Sequence, residues 1–350
     1  MTVLFLYTEL AEYFIKCCEE LSKKTSVHII RWPVNKEAPF VFSFPEAITV
    51  YDKNKYNNSE LYALVEKIDP DIIICSGWID KDYLDLVKPY YKKIPTVLTC
   101  DTHWQGSLKQ YAAIVLSRFF LLNKFSHAWV PGNNQAKYVS KLGFVQKKIK
   151  KGFYCCDLKK FNEVYNKQIT IKQNNFPKKF LFVGRYYDFK GIKDLWNAFI
   201  QLQEEDPNEW ELWCLGTGNI EPVKHNKINH FGFVQPNNLD EIIQQCGVFV
   251  LPSHFEPWGV VVQEYAASGF PLITSQSVGA NDSFLIESQN GFLFETKNVQ
   301  ELKKVLKKII TLSDAELIKM ASESHKLAQK INPENWTNTV LEIYNDFKSN

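Results

Sequence analysis

The chain has 350 residues, and at about 100–200 residues per domain that length favours two domains around two cores and excludes one small stapled scaffold. Apolar residues make up 45% and charged residues 23%, which excludes a disordered chain and a collagen-like repeat. Forty-one Lys plus Arg against 39 Asp plus Glu gives a net charge of +2, too balanced for a whole-molecule field that would draw in nucleic acid.

The start, MTVLFLYTELAEYF, has no basic segment before its apolar run, and Glu9 and Glu12 interrupt that run early, so it does not read as a secretory signal. The longest apolar stretch, Tyr111 to Leu122, carries Arg118 and falls short of the ~20 residues that span a bilayer. A cytoplasmic protein is expected. None of the eight cysteines forms a C-x-x-C pair or has a neighbouring His at zinc-site spacing. Reduced, buried thiols are expected, because the adjacent pairs Cys17-Cys18 and Cys155-Cys156 satisfy disulfide geometry only under strain.

Along the first part of the chain, short apolar runs alternate with helical patterns: VLFLY, a helix over 9–23, SVHII, a helix over 59–67, DIIICSG, a helix over 79–88, TVLTC, a helix over 107–124, then HAWV. Runs that are apolar throughout predict parallel strands covered on both faces, hence an α/β, doubly wound half. The polar stretch 160–179 reads as a linker. The pattern then restarts with FLFVG, a helix from 191, ELWCLG, INHFGFV, a helix near 238–246, GVFVLPS, a helix over 260–268, PLITS, GFLFE and a helix over 298–311. The tail 332–347 predicts a last helix with Asn332 as N-cap and Pro333 in its first turn. Ten of the 15 glycines lie between Gly184 and Gly291, where strand ends free of side chains let a ligand approach the backbone. The second half therefore reads as the nucleotide-holding one.

Two nucleotide motifs are absent. Gly216-Thr217-Gly218 continues as Asn219-Ile220-Glu221-Pro222, without a third glycine or a following helix, and no G-x-x-x-x-G-K-[ST] occurs. Asp69-Pro70-Asp71 spells D-x-D but precedes its strand, the wrong end of a parallel sheet for a ligand, and reads as a capped loop.

The strongest constellation is PSHFEPWGVVVQEYAASGFPL, at 252–272. The strand GVFVL delivers Glu256 to the carboxyl edge of the sheet, and the helix starting after Gly259 turns its unpaired N–H groups and positive dipole end to the same edge. That is a phosphate seat, with Glu264 placed to reach a ribose diol and Glu256 to accept hydrogen bonds from sugar hydroxyls. The simpler reading is two surface carboxylates beside a structural glycine. A second cluster runs from Gly184 and Arg185 to Lys190 and Gly191 after another strand. Two fixed cations there would offset the charge that develops on a diphosphate leaving group, without metal.

Together these motifs resemble the retaining, family-4 glycosyltransferases of the GT-B fold, whose nucleotide-sugar site combines a strand ending in G-R, a K-G five residues past the Arg, and an E-x7-E within P-S-x-x-E-x-x-G. The match is firm over roughly 180–295. The resemblance implies two Rossmann-like domains facing across a cleft: an acceptor-binding domain over 1–165, with a C-terminal helix at 333–350 packing back on it, and a donor-binding domain over 166–332. It assigns Arg185 and Lys190 to the diphosphate, Glu256 to the sugar, and Gly259, Val260 and Val261 to backbone donation. It assigns Glu264 to the ribose, Gly184 to the donor loop, and Phe233 and Val234 to the segment whose main chain reads the base. His103, which follows a strand where the family often has a cleft His, is the catalytic candidate of the first half, orienting the donor sugar or the acceptor. The first strand–helix loop, Tyr7-Thr8-Glu9-Leu10, lacks the glycines usual in the family.

The implied reaction moves a hexose-type unit from a UDP- or GDP-sugar to a glycan or lipid-linked glycan with retention, as in cell-surface polysaccharide synthesis. The nucleotide-sugar is then a substrate, and no cofactor or metal is expected. A 2-epimerase of the same fold and a non-catalytic nucleotide- or glycan-binding module are the rival readings. Trp32, Trp78 and Trp104 offer faces for stacking on sugars, with a core role as the simpler reading. Lys147, Lys148, Lys150, Lys151, Lys159 and Lys160 offer a peripheral contact to an anionic membrane, against the simpler reading of a solvated face.

Overall fold

A computed structural model describes residues 1–34, 42–235 and 238–349. The chain divides into two units, Met1–Asp157 with Ile331–Asn350, and Leu158–Lys330. The first unit is built on a parallel sheet of β1 (Thr2–Tyr7), β2 (Ser26–Arg31), β3 (Ile48–Asp52), β4 (Ile72–Ser76), β5 (Thr96–Thr99), β6 (His127–Val130) and β7 (Ile149–Lys151). Their order is β3-β2-β1-β4-β5-β6-β7. Successive side chains of a strand point to opposite faces, so Leu4 and Leu6 of β1 enter one core layer while Val3, Phe5 and Tyr7 enter the other. Ile73 and Cys75 divide from Ile72 and Ile74 in the same way. This double burial is why the strands read as continuous apolar runs.

The chain returns to this unit at its end. Asn332 caps the helix Pro333–Lys348 by accepting from Asn335 N at 2.8 Å. Trp336 of that helix is 1% exposed, stands 4.8 Å from the Trp129 ring and donates through Nε1 to Phe153 O at 2.7 Å.

The second unit holds β8 (Lys179–Val183), β9 (Glu211–Leu215), β10 (Ile228–His230), β11 (Val248–Leu251), β12 (Leu272–Ser275) and β13 (Gly291–Phe294), in the order β10-β9-β8-β11-β12-β13. In both sheets the strand order reverses at the first strand. The connections from β1 and β4, and from β8 and β11, therefore depart to opposite sides and leave a crevice at the carboxyl edge of each sheet.

Several expectations are corrected. The stretch 160–179 is not a linker: Leu158–Asn174 is a helix of 17 residues whose buried positions, Leu158, Phe161, Val164, Gln168 and Lys172, keep helical spacing. Its polar composition misleads because two of its inward residues are themselves polar. Edge strands β3 and β7 went unread, since one is only half-buried and the other is nearly all lysine. The helix near 238–246 is only Asp240–Ile243. The helix Asp314–Ala328, also unread, starts at a capping box in which Ser313 N donates to Glu316 Oε2 at 2.8 Å.

Other expectations hold. All eight cysteines are free and buried, and burial pushes the Cys100 and Cys246 thiols up to about 12. Asp69, with φ of 48°, closes the helix Asn58–Ile68, and Asp71 accepts from Thr2 N at 2.8 Å, so this D-x-D is structural. Trp32, Trp78 and Trp104 pack against the first unit's core. Among the described residues no helix is long and apolar enough to cross a membrane.

Lys172 is fully buried, donates to Gly269 O at 2.8 Å and lies 3.8 Å over the Phe270 ring. Desolvation lowers its pKa to about 7 despite that ring. The unfolded chain holds this proton up to pH ~10.4, so between pH 7 and that value it binds more protons than the fold, and stability from this group rises with pH. Lys172→Met removes the buried charge and also the bond to Gly269. Its melting temperature relative to the parent is expected to be highest near pH 6 and to fall by pH 9, as read by thermal denaturation at both values. A difference independent of pH would contradict the buried-charge account.

Candidate active site

The loops at the carboxyl edge of the second sheet are laced together by main-chain bonds. Gly184 N donates to Leu215 O at 3.0 Å, Tyr186 N to Thr217 O at 2.8 Å and Gly216 N to Gly232 O at 2.7 Å. Across the strand reversal, His254 N in the loop after β11 donates to Phe189 O in the loop after β8 at 2.8 Å. Gly191 permits that approach: its φ is +67°, and a Cβ there would sit 2.0 Å from Pro252 O. His254 is fixed a second time by its ring, with Nε2 2.7 Å from Asp194 Oδ2 on the next helix.

This frame brings Lys190 and Glu256 into an ion pair although 66 residues separate them. Their side chains are only 16% and 12% exposed, so the pair sits in a partly desolvated place where charge is felt strongly. Ser253 Oγ donates to the same Glu256 oxygen at 3.2 Å, and Gly279 N donates to Glu256 O at 3.0 Å. The Lys190 and Ser253 side chains thus hold the carboxylate, and the Gly279 amide fixes the main chain that carries it.

Three residues on, Gly259 has φ of +89° and opens the helix Val260–Ala267. A Cβ at Gly259 would stand 3.0 Å from Glu256 Cγ, so the glycine lets the helix begin against the carboxylate. The first amides of a helix have no partner within it, and with the helix dipole they favour an anion at that place. Gly259, Val260 and Val261 are half-buried there, as is Glu264 one turn on.

Arg185 stands 5.5 Å over the Tyr187 ring in the loop after β8. Phe233, 44% exposed, and Val234 follow Gly232, which is tied to Gly216 as above. Of the expected residues, Lys190, Glu256 and Gly259 are therefore assembled by direct contact, and Gly184, Arg185, Phe233 and Val234 lie on the loops laced to them.

His103 belongs to the first unit, in the loop after β5. Gln110 Nε2 donates to its carbonyl at 2.8 Å, and burial lowers the pKa of its imidazole while Asp101 draws it back up. At that unit's own strand reversal, Thr8 Oγ1 and Ser76 Oγ lie 2.9 Å apart, so hydroxyls occupy the place where the glycine-free loop departs from the usual pattern.

Ser253 belongs to the P-S-x-x-E-x-x-G motif without a role of its own there, and His254 and Asp194 belong to no motif position. A Ser three residues before a Glu is a legible hydrogen-bonding spacing, whereas the His254–Asp194 pair joins distant segments and leaves no local signal. A surface pocket lined by Gln203, Glu209 and Lys227 lies at the amino-terminal ends of β9 and β10, away from this edge. Among the described residues no group of three or more His, Cys, Asp or Glu is arranged to hold a metal ion.

Residues 166–328 match the family described as Glycosyl transferases group 1. A glycogen synthase of Mycobacterium tuberculosis is 28% identical over 143 residues, covering 38% of this chain and 34% of that protein. The N,N'-diacetylbacillosaminyl-diphospho-undecaprenol alpha-1,3-N-acetylgalactosaminyltransferase of Campylobacter jejuni is 25% identical over 225 residues, covering 57% and 56%. The chain thus spans between a third and just over half of these relatives. The crystal structure of Anabaena HepE in complex with UDP superimposes with a TM-score of 0.71 at 14% identity, over 98% of this chain and 99% of that one. That likeness extends over both units and gives the chain the two-domain GT-B fold. Residues 166–328, which carry the Lys190–Glu256 pair at the strand reversal, are thus similar to the glycosyl transferases group 1 family.

Proposed function

We propose that this protein is a retaining glycosyltransferase that moves a hexose-type unit from a UDP- or GDP-sugar to a glycan or lipid-linked glycan, without a metal ion. The observation that carries this reading is the largely buried Lys190–Glu256 pair beside the amino end of the helix Val260–Ala267. Cation, carboxylate and helix amides then present a diphosphate and its sugar with complementary groups in one place. Ligands bound in two of the similar structures fit the same class: UDP in HepE and UDP-2-fluoro glucose in an Escherichia coli protein.

In the proposed reaction, the diphosphate competes with Glu256 for the Lys190 ammonium, Arg185 adds a second cation, and the amides of Gly259, Val260 and Val261 bind phosphate oxygens. Glu256, released from Lys190, accepts hydrogen bonds from sugar hydroxyls, while Glu264 takes the ribose diol. Gly184 lies in the donor loop beside Arg185, and the main chain at Phe233 and Val234 reads the base. The bond between the anomeric carbon and the phosphate oxygen breaks as the acceptor oxygen bonds to the same face of that carbon. The acceptor's proton passes to the departing phosphate, so no side chain has to act as a covalent nucleophile. His103 orients the sugar or the acceptor. The fixed charges act mainly on the leaving group, where negative charge grows in the transition state.

Lys190→Ala and Glu256→Ala are each expected to lower turnover by ~10²-fold or more, the scale of a lost transition-state contact. Melting temperatures measured beside the rates separate this loss from unfolding, and parent-like turnover in a folded variant would refute the assignment. In a thermal-shift screen of UDP, GDP, ADP, CDP and TDP, a ligand at ~100 times its Kd stabilises by ~2.7 kcal/mol. One nucleotide is expected to give a shift of that size with or without added metal, and Glu264→Ala to abolish it. A shift only with metal would contradict the metal-free reading, and no shift with any of the five would remove the nucleotide site. Retention predicts a product whose anomeric proton coupling in NMR matches the configuration of the donor, and the opposite coupling would overturn it.

A further inference from the structure

The helix Leu108–Phe120 meets the core through Ala113, Ile114 and Phe120, which are partly buried. Its two buried residues are polar: Gln110, whose side chain accepts from Gln105 N at 2.8 Å and donates to His103 O at 2.8 Å, and Ser117, which donates to Leu142 O at 2.7 Å. The residues it turns outward are large and apolar. Leu108 is 87% exposed, Val115 71% and Phe119 74%, with Tyr111 and Leu116 more than half exposed. Their spacing puts them on one helix face. Isolated exposed apolar residues are ordinary, but a contiguous stripe of this size marks a contact surface.

Charge identifies what the surface fits. Between Asp101 and Asp157 the sequence holds nine Lys or Arg and no Asp or Glu, in a chain whose net charge is only +2. Lys109 and Arg118 are exposed on the helix itself. At its carboxyl end the apolar surface continues into an open pocket lined by Lys92, Leu122, Phe125, Phe144, Val145 and Lys148, again joining apolar side chains to cations. An anionic lipid bilayer supplies an apolar phase and a negative surface together and needs no matching shape. A protein partner matches this face only with an acidic surface of its own, and the apolar stripe is foreign to a nucleic acid.

We propose that the Leu108–Phe119 face is an in-plane anchor that lies in the surface of an anionic lipid bilayer, with Lys109 and Arg118 at headgroup level. Thirteen residues rise only about 20 Å, short of the ~30 Å hydrocarbon core, so the helix lies along the membrane and does not span it. This places the contact away from much of the basic stretch at 147–160. There Lys150 is already paired with Asp346 at 3.0 Å and Glu342 at 3.4 Å, and Lys159 and Lys160 belong to the second unit. The inference does not depend on the sugar-transfer reading.

Flotation of the full chain with vesicles tests it. The protein is expected to float with vesicles of phosphatidylglycerol mixed into phosphatidylcholine, and to stay behind with phosphatidylcholine alone. The double variant Val115→Ser, Phe119→Ser is expected to lose at least tenfold in partitioning while its melting temperature stays that of the parent, since both positions are exposed. Absence of flotation with anionic vesicles, or flotation of the double variant equal to the parent, would overturn the proposal. A parent that light scattering shows as a dimer, split by the double variant with no change in flotation, would assign the face to a second copy of this chain instead.

Discussion

The second unit's carboxyl edge depends on one close approach, the backbone of Gly191 against the carbonyl of Pro252. A Cβ at Gly191 would lie 2.0 Å from that oxygen, so the loops leaving β8 and β11 meet only because the position is bare. Their meeting lets Phe189 O accept from His254 N at 2.8 Å, and it sets Lys190 beside Glu256. Parallel strands that reverse order at β8 open a crevice there. The loop contact then fills its floor with a cation, a carboxylate and the first turn of a helix. Gly259 repeats the device, since its bare Cα lets that helix begin against Glu256 Cγ.

The two units solve the same edge differently. In the second, Gly191, Gly216, Gly232 and Gly259 all adopt positive φ in the loops around the strand reversal, and main chain approaches main chain. In the first, the loop after β1 has no glycine, and the Thr8 and Ser76 hydroxyls meet across the reversal. The His103 loop is held by Gln110, which lies on the buried side of the helix whose outer side is apolar. This helix thus ties an apolar, cationic surface directly to the segment carrying His103.

The doubly wound sheets were legible because strands covered on both faces read as unbroken apolar runs, as in IIIC of β4 and VFVL of β11. Edge strands β3 and β7 were not, because half-exposed positions take polar residues and erase that signal. The helix Leu158–Asn174 was read as a linker for a related reason: Gln168 and Lys172 face inward, where their side chains bond the carbonyls of Ser268 and Gly269. Within the site, Glu256, Gly259 and Glu264 share one segment and could be read as a unit. Lys190 reached them only through its own motif. The His254–Asp194 pair leaves no sequence signal, since it depends on a loop and a helix that meet across 60 residues.

The central claim is that this edge binds a nucleoside diphosphate through the Lys190–Glu256 pair and the helix amides. A crystal structure with UDP or GDP tests it most directly. The account predicts phosphate oxygens within hydrogen-bond distance of Lys190 Nζ and the Gly259–Val261 amides, with Lys190 drawn off Glu256 and Glu264 on the ribose. A nucleotide bound at any other edge, with the Lys190–Glu256 pair intact, would contradict it.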